Sequence, residues 1–344
     1  MLSPELAILL PACKDIPSAS VEFRWIRDHV EQTCRRNKQS RIFELCRQRG
    51  RGVPLQYVLG SQPFGKLDIK CRPGVLVPRS ETEAYTCHLV EMLKTGELLG
   101  FKAGQQSHAL SIVDFCTGTG CIPLLLYASL QHLSSRLRVA GVDISPVALE
   151  LARDNIAYNI DAEFMIAPGK DQSIAIQKGD VFNDVDIQKL ASSPWDLMVS
   201  NPPYVSQDVW DNGRGEMSHS VRAFEPRLAL VPGKHLPAAP NGLNPEDVFY
   251  GRLLDIATIL QPKALLLEIG DYSQALRVVK FYRQHALASH TAIELWRDWP
   301  HDEPDFTEVG QNEDIISCLG ASFEIKGSGN IRSILIRKTG LPQC

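Results

Sequence analysis

The sequence predicts an α/β fold: a parallel sheet covered by helices on both faces, preceded by a small helical region. Three observations lead there. From about residue 84 onward, short apolar runs alternate with segments of helical periodicity. A glycine-rich turn, Thr117-Gly118-Thr119-Gly120, joins the first of those runs to the helix after it. Successive runs then end on polar side chains, Asp143, Asp180 and Asn201, as strands do along the carboxyl edge of such a sheet.

Residues 1 to about 52 read as helices. Val21 to Cys34 and Gln39 to Arg49 carry apolar residues at helical spacing, and Arg49-Gly50-Arg51-Gly52 closes the last helix with glycine. Pro54 to Gly60 and Phe64 to Cys71 alternate apolar positions between turn glycines, which predicts a short hairpin. Pro73-Gly74 and Val75-Leu76-Val77-Pro78-Arg79 follow. Ser80-Glu81-Thr82-Glu83 then places a hydroxyl three residues before a glutamate, a helix-start signature.

The sheet itself is predicted from Ser111 to Phe115, Arg138 to Asp143, Ile174 to Lys178, Asp196 to Ser200, Ala264 to Glu268 and Ile331 to Arg337. Helices are expected over Cys121 to Leu133 and Pro146 to Asn159. Residues 205 to 247 are rich in Gly, Pro and polar residues. That is long for a plain connection, so the segment is expected to be functional or partly mobile.

Composition narrows the class. The chain has 344 residues, 44% apolar and 22% charged, as in ordinary globular proteins. A net charge of −4 argues against bulk electrostatic attachment to nucleic acid. The local run Arg35, Arg36, Lys38, Arg41, Arg47, Arg49 and Arg51 reads as a solvated helix face. Nine scattered cysteines, with no Cys-x-x-Cys and no metal-ligand spacing, fit free thiols in a reducing compartment and no metal. No apolar run approaches the ~18–20 residues that span a bilayer, and no basic n-region precedes the first apolar stretch. An intracellular protein is expected: in the mitochondrial matrix if eukaryotic, otherwise in the cytoplasm.

Asn201-Pro202-Pro203-Tyr204 is the most informative motif. It follows the apolar run Trp195 to Val199, so it reads as a stiff turn at the end of a buried strand. An Asn offers an acceptor and a donor, and a Tyr offers a flat face for stacking. Together they suit a planar –NH2 group, whether an amide or an amino-purine. A strand-ending loop alone would read the same way.

The glycine turn shapes the ligand. Cys116 to Gly120 lets backbone N–H groups approach a ligand at a helix N-terminus. A dinucleotide fingerprint would need a third glycine at 123, where Pro123 stands, so a ligand without a pyrophosphate is favoured over a nicotinamide cofactor. Asp143 can take both hydroxyls of a ribose. Asp180 can accept from an adenine amino group or serve as a helix cap. A nucleoside, no phosphate and a transferable group together describe S-adenosylmethionine.

Read together, the motifs resemble one family, the N5-glutamine methyltransferases of peptide chain release factors. The resemblance rests on Pro54 to Gly60, Pro73 to Glu83, Thr117 to Gly120, Val142-Asp143-Ile144-Ser145-Pro146, Gly179-Asp180-Val181-Phe182, Asn201 to Tyr204, Phe224-Glu225-Pro226-Arg227-Leu228-Ala229-Leu230 and Leu267-Glu268-Ile269-Gly270, in that order. It implies a helical domain over 1–53, a hairpin connector over 54–83 and a Rossmann-like S-adenosylmethionine-dependent methyltransferase domain over 84–344. It implies that Cys116, Thr117, Gly118, Thr119, Gly120, Asp143, Asp180 and Asn201 hold S-adenosylmethionine. Asn201, Pro202, Pro203 and Tyr204 would bind the acceptor, the glutamine of a Gly-Gly-Gln loop in a release factor. Asn201, Pro202 and Tyr204 would act in the transfer, with no stable nucleic acid or membrane partner.

The sequence departs from the family at Cys116, usually glycine, and at Ser80, usually proline. The glycine pair before the late strand is missing at Gln261 to Ala264, and 232 to 245 looks expanded. Ser220-Val221-Arg222-Ala223 resembles fungal mitochondrial members. Two other readings stay open: an adenine-N6 methyltransferase acting on DNA or RNA, and a methyltransferase-like binding module without catalysis.

Overall fold

The computed structural model describes residues 2–100, 109–213, 217–319 and 323–339. It opens with three helices, α1 (Pro4–Cys13), α2 (Ile16–Thr33) and α3 (Lys38–Gly50). Ser3 and Asp15 cap the first two, Asp15 accepting from the Ser18 N–H at 2.7 Å. Their buried faces, including Leu9, Ile26, Val30, Leu45 and Cys46, form a core separate from the rest.

Next come α4 (Leu55–Leu59), β1 (Ser61–Phe64) and β2 (Leu67–Lys70). The predicted hairpin therefore occupies only its second half. Leu55 to Leu59 is a helical turn, stopped by Gly60 in the left-handed region. Leu55 and Val58 sit three residues apart on one face and join the helical core, a spacing that also passes for strand alternation in so short a segment.

α5 (Ser80–Thr95) begins where predicted, but without the capping box. Arg79 takes the cap position, and Glu83 accepts from the Gly65 N–H of the hairpin turn at 2.8 Å. A long-range partner has replaced the local one.

The main sheet and its helices follow: β3 (Leu110–Phe115), α6 (Cys121–Leu130), β4 (Leu137–Asp143), α7 (Pro146–Asp161), β5 (Ser173–Lys178), α8 (Asp184–Leu190) and β6 (Leu197–Ser200). The long segment after β6 contains α9 (Gln207–Asn212) and α10 (His219–Phe224), then leads into α11 (Val248–Leu260). The chain ends with β7 (Ala264–Glu268), α12 (Tyr272–Gln284), β8 (Thr291–Trp299), α13 (Phe306–Leu319), β9 (Glu324–Lys326) and β10 (Ser328–Lys338).

Strand order is β5-β4-β3-β6-β7-β10-β8-β9. The first five strands are parallel, as predicted, but β10 runs antiparallel to both of its neighbours. β8 has no counterpart in the sequence reading because charged residues interrupt its apolar pattern. Those charges are buried and paired across the ladder, Glu294 with Arg337 at 2.6 Å and Asp298 with Arg332 at 2.7 Å. Two apolar clusters cover the two sheet faces. Between β3 and β6 the chain reverses its direction of winding, which opens a crevice at the carboxyl ends of the strands.

Two asparagines on α7 dock the hairpin on the sheet domain. Asn155 accepts from Lys70 N–H at 2.7 Å and donates to Lys70 O, and Asn159 pairs in the same way with both backbone groups of Asp68. Spaced four apart on one helix, both side chains meet β2 much as a neighbouring strand would.

Candidate active site

The crevice is a cavity of about 380 Å³. Its floor is the β3–α6 turn. Cys116, at φ 59°, and Gly118, at φ 56°, both lie in the left-handed region, so the chain reverses tightly into α6. Gly120 serves packing: a side chain there would press on Leu124 and Ala152 at 3.0 and 3.1 Å. It does not line the cavity, whereas Cys116, Thr117, Gly118 and Thr119 do.

Asp143 ends β4 at the same wall. Its carboxylate accepts from Gly118 N–H at 2.9 Å and from Ser145 N–H at 2.8 Å, which holds the oxygens in one orientation. Burial raises its pKa, and those backbone donors work against the shift. Asp180 also faces the cavity; one oxygen accepts from Phe182 N–H at 2.9 Å, while Asn183, not Asp180, caps α8.

Asn201 and Pro203 line the cavity from the end of β6. Pro202 and Tyr204 are not among its walls. The Tyr204 hydroxyl donates to Glu268 at 3.2 Å, and the ring packs on Gly270, where an added Cβ would lie 3.0 Å from Tyr204 Cδ2. The hydroxyl and this side of the ring anchor Tyr204 to the strand ends behind the turn.

Several wall residues carried no assigned role in the sequence. The connector contributes Gly74 to Arg79 and Thr82, and the segment after β6 contributes Leu228, Ala229, Gly233, His235 and Leu236. Glu225 joins these two regions, accepting from Arg79 and from the Val77 N–H at 3.1 Å. The signal was present as two motifs, Pro78-Arg79 and Phe224-Glu225-Pro226, but only folding shows that they meet.

The donor set fits a nucleoside with a charged, phosphate-free tail. Thr117 is buried in the wall, its side chain against the Asp114 carboxyl. The oriented Asp143 carboxylate suits vicinal hydroxyls, and the apolar residues Val75, Ile122, Val142, Val181 and Phe182 suit a flat ring between them. Beneath the turn, Asp114 is fully buried, and burial raises its pKa well above the carboxylate range, with Thr117 working against the shift.

No family model matches the chain. Curated relatives do. Mitochondrial MRF1 N(5)-glutamine methyltransferase MTQ1 of Saccharomyces cerevisiae is 33% identical over 67% of this chain and 64% of its own length, just under two-thirds. The probable MRF1 mitochondrial N(5)-glutamine methyltransferase mtq1 of Schizosaccharomyces pombe is 32% identical over 81% of this chain and 84% of its own. The release factor glutamine methyltransferase of Moorella thermoacetica is 34% identical, covering 69% of each chain. Among solved structures, the human METTL16 catalytic domain superposes with a TM-score of 0.45 at 16% identity, over 86% of this chain and 82% of that one. With two relatives above 30% identity covering more than two thirds of each chain, the chain belongs to the release factor N5-glutamine methyltransferase family.

Proposed function

We propose that this protein methylates the side-chain amide nitrogen of the glutamine in a Gly-Gly-Gln loop of a peptide chain release factor, using S-adenosylmethionine. One observation carries the reading: Asn201, Asp143 and the Thr117–Thr119 turn open into the same cavity. The fungal relatives are named for MRF1 and for the mitochondrion, and we extend that substrate class and compartment to this chain. Among the described residues no helix is long and apolar enough to cross a membrane.

The cofactor, when bound, supplies an electrophilic methyl on a sulfonium. In this proposal the turn from Cys116 to Thr119, with Asp143 and Asp180, holds it, and Gly120 lets that turn pack on α7. Asn201 Oδ1 accepts one N–H bond of the substrate amide; the Pro202 carbonyl, expected to take the other, belongs to a residue outside the cavity walls. An amide nitrogen is a poor nucleophile because its lone pair is delocalised into the carbonyl. A fixed acceptor on its hydrogen favours positive charge there as the new bond forms, an effect already in place before reaction. Pro203 walls the slot and Tyr204, anchored on Glu268, keeps the turn in position. The helical domain of residues 1–53, joined through the 54–83 connector to the domain of 84–344, is the proposed docking body for the release factor.

The test is incubation with labelled S-adenosylmethionine and mitochondrial or bacterial-type release factors, followed by peptide mass spectrometry. One added methyl on the Gly-Gly-Gln glutamine is expected. Asn201→Ala should bind cofactor normally and lose transfer by about 100-fold or more. Near-full methylation by that variant would remove Asn201 from the mechanism.

A further inference from the structure

Methylation of an amide leaves one proton too many on nitrogen. The S–C bond breaks to give a neutral thioether, the N–C bond forms, and an N–H proton must depart. Asn201 Oδ1 can orient the amide, but it is not basic enough to keep that proton. A base is therefore missing from the motif.

Thr82 and Glu268 stand where one is needed. Thr82, in the first turn of α5, lines the cavity together with Asn201. Its Oγ1 donates to Glu268 Oε2 at 2.6 Å, a short bond of the charge-assisted kind. Glu268 ends β7, which pairs with β6 up to Ser200 and Leu267, so Asn201 and Glu268 are the next residues on adjacent strands. Glu268 itself is 1% exposed and reaches the cavity only through the Thr82 hydroxyl.

We propose that Thr82 and Glu268 form the exit route for the substrate proton. As the amide nitrogen sheds its proton to Thr82 Oγ1, the hydroxyl proton of Thr82 passes to Glu268 Oε2. The carboxylate becomes a carboxylic acid, and Thr82 is unchanged. After product leaves, the same two atoms return the proton to water entering the cavity. This inference rests on the proposed function, since it describes the proton balance of that reaction.

The surroundings of Glu268 suit the role. Burial raises its pKa, which makes it a better proton acceptor than a surface glutamate, while Thr82, Tyr85, Tyr204 and the Arg332 guanidinium stabilise the charged form. The facing groups come from every element around it: Thr82 and Tyr85 from α5, Tyr204 from the turn after β6, and Arg332 from β10. Asp114 of β3 and Cys121 of α6 lie nearby, and Tyr250 of α11 donates to the Glu268 main-chain carbonyl at 2.9 Å.

Three variants test the route: Thr82→Val, Thr82→Ser and Glu268→Gln. First, the Glu268 carboxyl band is titrated by infrared spectroscopy in cofactor-free protein and identified by its loss in E268Q. Without the Thr82 donor the carboxylate is less stabilised, so T82V should move the midpoint up and T82S should leave it in place. Second, single-turnover transfer to a release factor is followed against pH. The wild-type rate should rise with pH up to the infrared midpoint and then level. T82V and E268Q should lose about 100-fold and the pH dependence with it, at unchanged cofactor affinity, while T82S stays within about threefold. An unmoved infrared midpoint in T82V, or T82V turnover equal to wild type, overturns the route. If E268Q does not fold, the T82V and T82S pair decides alone, as neither changes charge. A wild-type protein that methylates no release factor overturns the proposed function and this step together; active wild type beside equally active T82V overturns this step only.

Discussion

Arg79 Nη2 donates to both oxygens of Glu225, at 2.8 and 2.9 Å, joining residues 146 apart in sequence. The Glu225 side chain is almost fully buried, while that of Arg79 is about one-third exposed. The contact ties the connector to the segment that roofs the cavity. Glu225→Ala should therefore cost about 1–3 kcal/mol, less than a wholly buried pair because water partly serves Arg79 and only the Val77 N–H loses its acceptor outright. It should also raise KM for the release factor more than it lowers kcat. Urea unfolding and steady-state kinetics read both, and a variant unchanged in each would reduce the contact to decoration.

Asn155 links connector and cofactor turn through three hydrogen bonds, two to Lys70 and one to the Thr119 carbonyl at 2.9 Å. Asn155→Ala should destabilise the protein by about 2–4 kcal/mol, since it strands buried backbone groups on both sides. Because Thr119 belongs to the cavity floor, affinity for S-adenosylmethionine should fall as well, by about tenfold. Calorimetric titration beside a denaturation curve separates the effects, and undiminished affinity would uncouple the two sites.

Asp114 makes stability depend on pH. Its folded pKa is raised by burial, so the folded protein keeps the proton while the unfolded chain gives it up above the ordinary value near ~3.8. The contribution is full below that value and is lost as pH rises toward the folded pKa, at up to ~1.4 kcal/mol per pH unit. Asp114→Asn cannot ionise and should erase this loss. Unfolding free energies of the two proteins should draw apart steadily from pH 5 to 8 in favour of the variant. A gap that does not change with pH would mean Asp114 is charged in the fold.

Cys116 holds a left-handed backbone, φ 59°, that costs a non-glycine residue ~1–2 kcal/mol. Replacing it with glycine relieves that strain but adds some chain entropy to the unfolded state. Cys116→Gly should leave stability unchanged or raise it by up to about 1 kcal/mol in thermal unfolding. A loss beyond about 1 kcal/mol would assign the thiol a packing role that outweighs the backbone.

Much of the architecture is legible along the chain because its signals are local. Three of the five parallel strands, Leu110–Phe115, Leu197–Ser200 and Ala264–Glu268, are short, uniformly buried runs bounded by turn residues. Helix α7 announces itself with Ser145 before Pro146. Leu55–Leu59 and β8 were not legible for opposite reasons: the first is too short for its period to declare itself, and the second carries charges whose partners lie on β10. The capping box at Ser80 failed because Glu83 finds the Gly65 N–H, a donor distant in sequence.

The candidate site divides along the same line. Sequence alone set out its residue types: the glycine turn, Asp143 and Asn201 are strand-end residues whose order suggests a nucleoside ligand beside a slot for a planar –NH2 group. Tertiary structure decided which atoms face inward. It anchored Tyr204 on Glu268, seated Thr82 in the wall and locked Arg79 on Glu225. The physical reason is that residue type and period act over a few positions, whereas a side chain's partner is whatever packing brings within about 3 Å.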